Sequence, residues 1–145
     1  MPLEVHPCTP ADFPSFVRIQ CAAFDSGIAS YLIPLPITPV YIANRVAEHT
    51  KKLETELDAR FMKVIDTEKG GKMIACAKWR INEEERTEEQ IQAQLPVPGK
   101  EEEGRKAAQD FLWHLNASRR EFMGTKPFYC KFCDLLGRGM VEILC

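Results

Sequence analysis

The sequence lacks a long apolar run. No stretch approaches the roughly 20 consecutive apolar residues that a membrane-spanning helix needs, so we expect no membrane partner. The N-terminus, MPLEVHPCTPADF, has neither a basic segment nor an apolar core, and it therefore shows no secretory signal. A cytoplasmic location follows as the expectation.

The sequence also lacks an excess of charge of one sign. Its 19 basic and 21 acidic residues nearly cancel, leaving a net charge of −2. Such a chain has no overall positive field to attract nucleic acid, so we expect no nucleic-acid partner. The 145 residues, of which 45% are hydrophobic, suit one globular domain.

Cysteine is too sparse for a disulfide scaffold, with six in the whole chain. Cys8, Cys21 and Cys76 have apolar neighbours, as buried free cysteines usually do. Cys130 and Cys133 form a C-x-x-C, the spacing of half a zinc site or of a redox pair. A structural zinc ion needs four ligands, and no second pair lies at motif spacing. We therefore expect no metal and interpret these cysteines as incidental.

The first half of the chain has the pattern of a strand followed by two helices. Leu3–Cys8 alternates as a strand, and a threonine followed by a proline predicts a helix start at both Thr9-Pro10 and Thr38-Pro39. Each helix carries apolar residues at spacings of three and four: Phe13, Phe16, Val17, Cys21 and Phe24 in the first, and Ile42, Val46, His49, Leu53 and Leu57 in the second.

The second half begins with a hairpin. Arg60–Asp66 and Lys72–Ile81 are rich in strand formers and flank a turn with two glycines. The polar segment Asn82–Gln94 is either a solvated helix or a mobile insertion. A long helix should run from about Glu101 to Met123, before a last strand at Phe128–Cys133. The expected buried face of the long helix consists of Ala108, Phe111, Leu112, Leu115 and Phe122.

Four segments carry a family resemblance: HPCTPADFPSFVRIQCAAF, TPVYIANRVAEHTKKLE, IACAKWRI and KPFY. Their order and spacing resemble the GNAT superfamily of N-acetyltransferases, particularly its fungal members, and the resemblance covers Leu3 to about Tyr129. It implies an α+β or α/β fold with a mixed, mostly antiparallel sheet flanked by helices, of which the C-terminal part is missing here. It also implies transfer of an acetyl group from acetyl-CoA to a small-molecule or peptide amine.

The resemblance ends after Tyr129. In complete family members the strand that KPFY begins runs into an Arg/Gln-x-x-Gly-x-Gly/Ala loop at a helix N-terminus, where amides and the helix dipole can hold a pyrophosphate. This chain has CKFCDLLGRGMVEILC instead, with Arg138 between its two glycines. We therefore divide the chain into a GNAT-like part, 1–129, and a divergent tail, 130–145.

Three expectations follow from this departure. The chain is truncated before the acetyl-CoA loop, its acetyl transfer is weak or absent, and an open sheet edge favours self-association. The alternative is a non-enzymatic binding or regulatory module derived from the same fold. The resemblance identifies no acetyl-CoA-binding residue in this chain.

The resemblance also suggests where an acceptor amine would bind. In related enzymes the first helix, the loop after it and the central strands line the acceptor cleft. On that basis Phe24, Tyr31 and Trp79 are the candidate substrate-binding residues, with plain core packing as the alternative. No catalytic residue can be identified; Glu83 is only a guess for the base, and His49 is interpreted as a satisfied core or boundary histidine.

Overall fold

The computed structural model describes residues 2–23, 33, 35–95 and 103–132. The chain forms two compact units, one comprising Met1–Ile81 with Cys130–Cys145 and the other Asn82–Tyr129. The candidate residues Phe24 and Tyr31, and Cys133 of the C-x-x-C motif, lie outside the described residues. No helix among those described is both long and apolar enough to cross a membrane.

Four strands and four α-helices make up the described chain. The strands are β1 (Leu3–Pro7), β2 (Ala59–Asp66), β3 (Lys72–Asn82) and β4 (Phe128–Phe132). The helices are α1 (Phe13–Ala23), α2 (Pro39–Thr55), α3 (Glu88–Gln94) and α4 (Lys106–Phe122). Short 3-10 turns precede α1, at Pro10–Asp12, and follow β2, at Thr67–Lys69.

The strands form one sheet in the order β1-β2-β3-β4. Strand β1 runs antiparallel to β2, with Val5 opposite Val64, and β2 runs antiparallel to β3, with Phe61 opposite Lys78. An irregularity between Val64 and Ile65 shifts the second register by one residue. The predicted α+β class, with an antiparallel sheet and helices, is confirmed.

Both predicted helix starts are confirmed. Thr9 and Asp12 form a capping box in which the Thr9 amide donates to Asp12 Oδ2 over 2.8 Å. Thr38 accepts a hydrogen bond from the Tyr41 amide over 3.1 Å. These contacts satisfy amides that have no partner within the helix, so the chain direction at the start of each helix is fixed locally.

The hairpin turn depends on its glycines. Gly70 and Gly71 have φ angles of 65° and 74°, a region that side chains with a Cβ rarely adopt. The Asp66 side chain accepts a hydrogen bond from the Glu68 amide and closes the turn at the end of β2. The predicted β2–β3 hairpin is therefore confirmed, including its turn chemistry.

The core of the first unit is a cluster of four rings, from Phe13 and Phe16 on α1, His49 on α2 and Phe61 on β2. All six ring pairs have centroids between 5.3 and 5.9 Å apart. Each of the four side chains is almost completely buried. Because the rings come from three elements, this aromatic cluster holds both helices against one face of the sheet.

The second unit has its own contacts. Arg86 stacks over the Phe128 ring, 4.4 Å from its centroid, and the Arg86 amide donates to the Thr125 carbonyl oxygen. Arg120 on α4 pairs with Glu88 on α3 over 2.5 Å. The polar segment Asn82–Gln94 thus contains the short helix α3, in agreement with the first of its two interpretations, a solvated helix.

Two predicted buried residues are exposed. Leu57 is 84% exposed, because α2 ends at Thr55 and Leu57 lies beyond the helical stripe. Phe122 is 73% exposed, because it is the last residue of α4 and the buried part of that helix lies upstream. The long helix also begins later than predicted, after Gly104 with its φ of 74°.

The aromatic cluster predicts a large mutational effect. We expect Phe16→Ala to lower the free energy of unfolding by about 3–5 kcal/mol, because it removes a buried ring from contact with three others. The matched change Phe122→Ala should alter it by less than about 0.5 kcal/mol, since that ring is exposed. Urea denaturation of both variants measures this, and equal effects would contradict the described core.

Candidate functional site

Trp79 is the one candidate acceptor-binding residue that lies among the described residues. It is half-buried near the end of β3, opposite Arg60 on β2. Side chains alternate along a strand, so Trp79 shares its face of the sheet with Ala77 and, across the register, Met62. This face is opposite the one that carries Phe61 and the aromatic cluster.

The neighbours of Trp79 along β3 belong to an ion cluster on the other face. Glu56 Oε2 accepts from Lys78 Nζ over 2.5 Å and from Arg80 Nη2 over 2.8 Å. Arg80 Nη1 also donates to Asp58 Oδ2 over 2.5 Å. The Lys78–Glu56 and Arg80–Asp58 pairs each join residues 22 positions apart in the sequence. They connect the segment between α2 and β2 to β3.

Lys78 is a buried cation in this ion cluster. Burial lowers its pKa, and the hydrogen bond to Glu56 opposes that shift without cancelling it. Its ammonium nitrogen also lies 5.1 Å from the centroid of the Phe61 ring. Lys78 thus connects the ion cluster to the aromatic cluster, and sequence patterns gave no signal for it.

His49 is confirmed as a core histidine. Its Nε2 lies 3.3 Å from Gln20 Oε1, and because an amide oxygen only accepts, Nε2 carries the hydrogen. Among the described residues no hydrogen-bond partner lies at its buried Nδ1, so only one ring nitrogen of the predicted satisfied histidine is paired there. Burial, together with the positive charges of Arg45 and Lys52, lowers the pKa of His49 to about 3. A ring that stays neutral in this setting is a poor proton shuttle at neutral pH.

The corner between β1 and α1 holds a second charge pair, which is partly buried. Lys63 Nζ lies 2.7 Å from Asp12 Oδ1. Burial raises the pKa of Asp12, but hydrogen bonds from Lys63 and Thr9 outweigh it and lower the pKa overall. Burial, with Asp12 nearby, raises the pKa of the Cys8 thiol to about 12, so Cys8 is not a thiolate nucleophile.

The described residues therefore offer binding surfaces more clearly than acid–base catalysis. Glu83, the guess for a base, is exposed on the second unit. No group of three or more potential metal ligands occurs among residues 2–23, 33, 35–95 and 103–132. Whether Phe24, Tyr31 and Trp79 line one acceptor surface stays a prediction.

Comparisons with known proteins give one match. No family model and no curated protein matches the chain. Among solved structures, it is similar to a Corynebacterium glutamicum protein described as histone acetyltransferase HPA2 and related acetyltransferase. The identity is 19%, the match covers 82% of this chain and 72% of that chain, and the TM-score is 0.42. A likeness at this level carries no conclusion about family or activity.

The burial of His49 predicts a pH dependence of stability. Its folded pKa of about 3 lies below the usual value near 6.5, so unfolding takes up a proton as the pH falls through this range. The stabilisation that comes from the neutral His49 ring is fully present above about pH 6.5. By about pH 4 the free energy of unfolding should have fallen by about 3 kcal/mol.

A His49→Leu variant isolates this effect. Urea denaturation at several pH values should show a flatter stability profile for the variant than for the parent chain, because leucine does not titrate. The carboxylates titrate in both proteins, so their contributions cancel in the difference. If the pH profiles of the two proteins ran parallel, the His49 ring would be exposed to water in the folded chain and not buried in the aromatic cluster.

The ion cluster predicts different costs for two glutamates near the C-terminal part of α2. Glu56→Gln should lower the free energy of unfolding by about 2–3 kcal/mol, because it leaves the buried Lys78 without its anionic partner. Glu48→Gln should cost less than about 1 kcal/mol, since Glu48 pairs with Arg45 and Lys52 near the surface. Thermal and urea denaturation provide the measurement, and a larger loss for Glu48→Gln would contradict the assignment.

Proposed function

We propose that this chain has the fold of a GNAT-type N-acetyltransferase and contains the part that binds the acceptor amine. The observation that carries the proposal is the order of elements: a strand, two helices, an antiparallel hairpin and a further strand beside it. This order is the one that the sequence resemblance implies for the first part of the family fold. The proposed reaction class is acetyl transfer from acetyl-CoA to an amine.

The residues after β4 do not fit the acetyl-CoA part of that reaction. Strand β4 ends at Phe132, and the sequence continues as Cys133-Asp134-Leu135-Leu136-Gly137. The sequence after Phe132 lacks the Arg/Gln-x-x-Gly-x-Gly/Ala pattern and contains an acidic residue, Asp134. We therefore propose that this chain alone is weak or inactive as an acetyltransferase.

Acceptor binding is the activity that the first unit supports. Trp79 supplies a half-buried aromatic side chain on a strand whose position the ion cluster fixes through Lys78 and Arg80. An indole ring attracts organic cations through its face, and a protonated amine is such a cation. We propose that Trp79, with Phe24 and Tyr31, contacts the amine.

A non-enzymatic binding or regulatory module is the second candidate. It is favoured by the chemistry of the groups that could have acted as a base or nucleophile: His49 stays neutral and Cys8 stays a thiol in the folded chain. In this alternative the acceptor surface binds an amine or a peptide without modifying it.

Ligand titrations test the proposal that this chain alone is weak or inactive. We expect no saturable acetyl-CoA binding in the micromolar range by calorimetry, and no release of free CoA with polyamines or lysine-containing peptides. A tight one-to-one complex with acetyl-CoA, or steady CoA release, would overturn the proposal that this chain is weak or inactive.

Tryptophan fluorescence tests the acceptor surface. The chain has two tryptophans, so Trp113→Phe leaves Trp79 as the only indole reporter. A saturable change in its emission with a polyamine or a lysine-containing peptide is expected, and Trp79→Phe should weaken binding measured by calorimetry. Binding that Trp79→Phe leaves unchanged would place the acceptor surface elsewhere.

A further inference from the structure

Strand β1 lies at one end of the sheet. In the order β1-β2-β3-β4 it pairs with β2, and no other strand among the described residues pairs with it. The outer side of β1 therefore presents backbone donors and acceptors along a five-residue strand. Natural proteins usually cover such an edge or pair it with another strand.

The hydrogen bonds to β2 show which residues of β1 face outward. The Cys8 amide donates to the Phe61 carbonyl oxygen over 2.8 Å, and the Pro2 carbonyl oxygen accepts from the Thr67 amide over 3.0 Å. Successive residues of a strand point their N–H and C=O groups to opposite edges of the strand. The backbone groups of Glu4 and His6 therefore also face β2. The amide and carbonyl groups of Leu3 and Val5 consequently face away from the sheet.

The side chains of this edge are apolar on one face and charged or polar on the other. Leu3 and Val5 are 41% and 65% exposed, although both are large hydrophobic residues. On the opposite face Glu4 Oε2 lies 2.9 Å from His6 Nε2. An edge with exposed aliphatic side chains and outward amides is able to accept another strand.

We propose that β1 pairs with β1 of a second copy of this chain in an antiparallel, two-fold symmetric ladder centred on Val5. This register places Val5 directly opposite Val5 of the second copy, and these residues exchange two amide–carbonyl hydrogen bonds. It places Glu4 opposite His6 of the second copy, and His6 opposite its Glu4. The sequence Leu3–Pro7 is thus complementary to itself when reversed.

Charge complementarity selects a second copy as the occupant. Residues that flank a hydrogen-bonded pair form non-hydrogen-bonded pairs, in which side chains approach most closely. Glu4 and His6 occupy those positions, so a carboxylate meets an imidazole N–H donor twice in the dimer. On the other face, Leu3 of each copy lies opposite Pro7 of the other, and both are apolar.

Pro7 limits the length and strength of this interface. Its backbone faces outward, and its carbonyl oxygen accepts from Leu3 of the second copy, but it has no amide to donate in return. The ladder therefore ends there, and the interface is short. Short interfaces are typical of weak, transient association. The proposal does not depend on acetyl transfer.

Sedimentation equilibrium of the full chain provides the first test. We expect a monomer–dimer equilibrium that Val5→Lys weakens at least about tenfold, since a lysine on the edge strand opposes pairing. The matched control is Val40→Lys, because Val40 is 68% exposed but lies on α2. A chain that is monomeric at all concentrations, or a dimer that Val5→Lys leaves intact, would overturn the proposal.

A charge swap tests the register. Glu4→Lys should weaken the dimer, because it removes both carboxylates that meet His6. The double variant Glu4→Lys with His6→Glu places a carboxylate opposite a cationic donor at both pairs, so its dissociation constant should return to within about twofold of the parent value. Failure of the double variant to recover association would exclude a ladder centred on Val5.

Amide hydrogen exchange identifies the occupant. The Leu3 and Val5 amides should exchange rapidly in dilute solution and slowly at high concentration. The Glu4 and His6 amides, which face β2, should be protected at both and serve as internal controls. Protection of Val5 that is independent of concentration would mean that another segment of the same chain occupies the edge, contrary to the proposal.

Discussion

The packing of four rings in the aromatic cluster is the contact on which the first unit depends. Phe13 and Phe16 come from α1, His49 from α2 and Phe61 from β2, so three elements separated in sequence meet through one set of edge-to-face and tilted contacts. Partly buried Ile19, Val46, Leu53 and Met73 pack around the same core. An aromatic cluster of this kind combines large buried area with defined geometry, which fixes the orientation of both helices on the sheet.

The aromatic cluster also determines the electrostatics beside it. Because the rings exclude water, His49 is held neutral and Lys78 is desolvated, with Glu56 supplying the opposite charge. The same ion cluster positions the end of β3, where Trp79 faces the opposite side of the sheet. On the face of the sheet opposite the proposed acceptor surface, paired charges therefore hold β3 in place in addition to apolar packing.

Much of the fold could be predicted from the sequence because its signals are local. Thr38 followed by Pro39 determines where α2 begins, and Gly70 with Gly71 determines the hairpin turn, since the cause lies within a few residues of the effect. The pairing of Lys63 with Asp12 joins residues 51 positions apart, and no periodic pattern predicts it. Periodicity also misassigned Phe122, because a helical stripe does not show where the packing against it ends.

The candidate site was predicted less completely for the same reason. Trp79 was selected by resemblance, whereas the ion cluster of Lys78, Glu56 and Arg80 depends on the three-dimensional approach of a helix end to a strand. The roles proposed for Phe24 and Tyr31 rest on the resemblance alone. Charged residues in a sequence usually indicate solvated surface, so their burial becomes visible only once the register of β2 and β3 is known.

The central claim is that the His49 ring is buried and neutral inside the aromatic cluster. Its most direct test is nuclear magnetic resonance of the His49 imidazole nitrogens, followed from neutral to acidic pH in the folded chain. The account predicts a neutral ring with hydrogen on Nε2, bonded to Gln20, and an Nδ1 that stays unprotonated down to about pH 4. Nitrogen shifts that titrate with a midpoint near the usual value of about 6.5 would contradict it, because they would show a solvated ring outside the aromatic cluster.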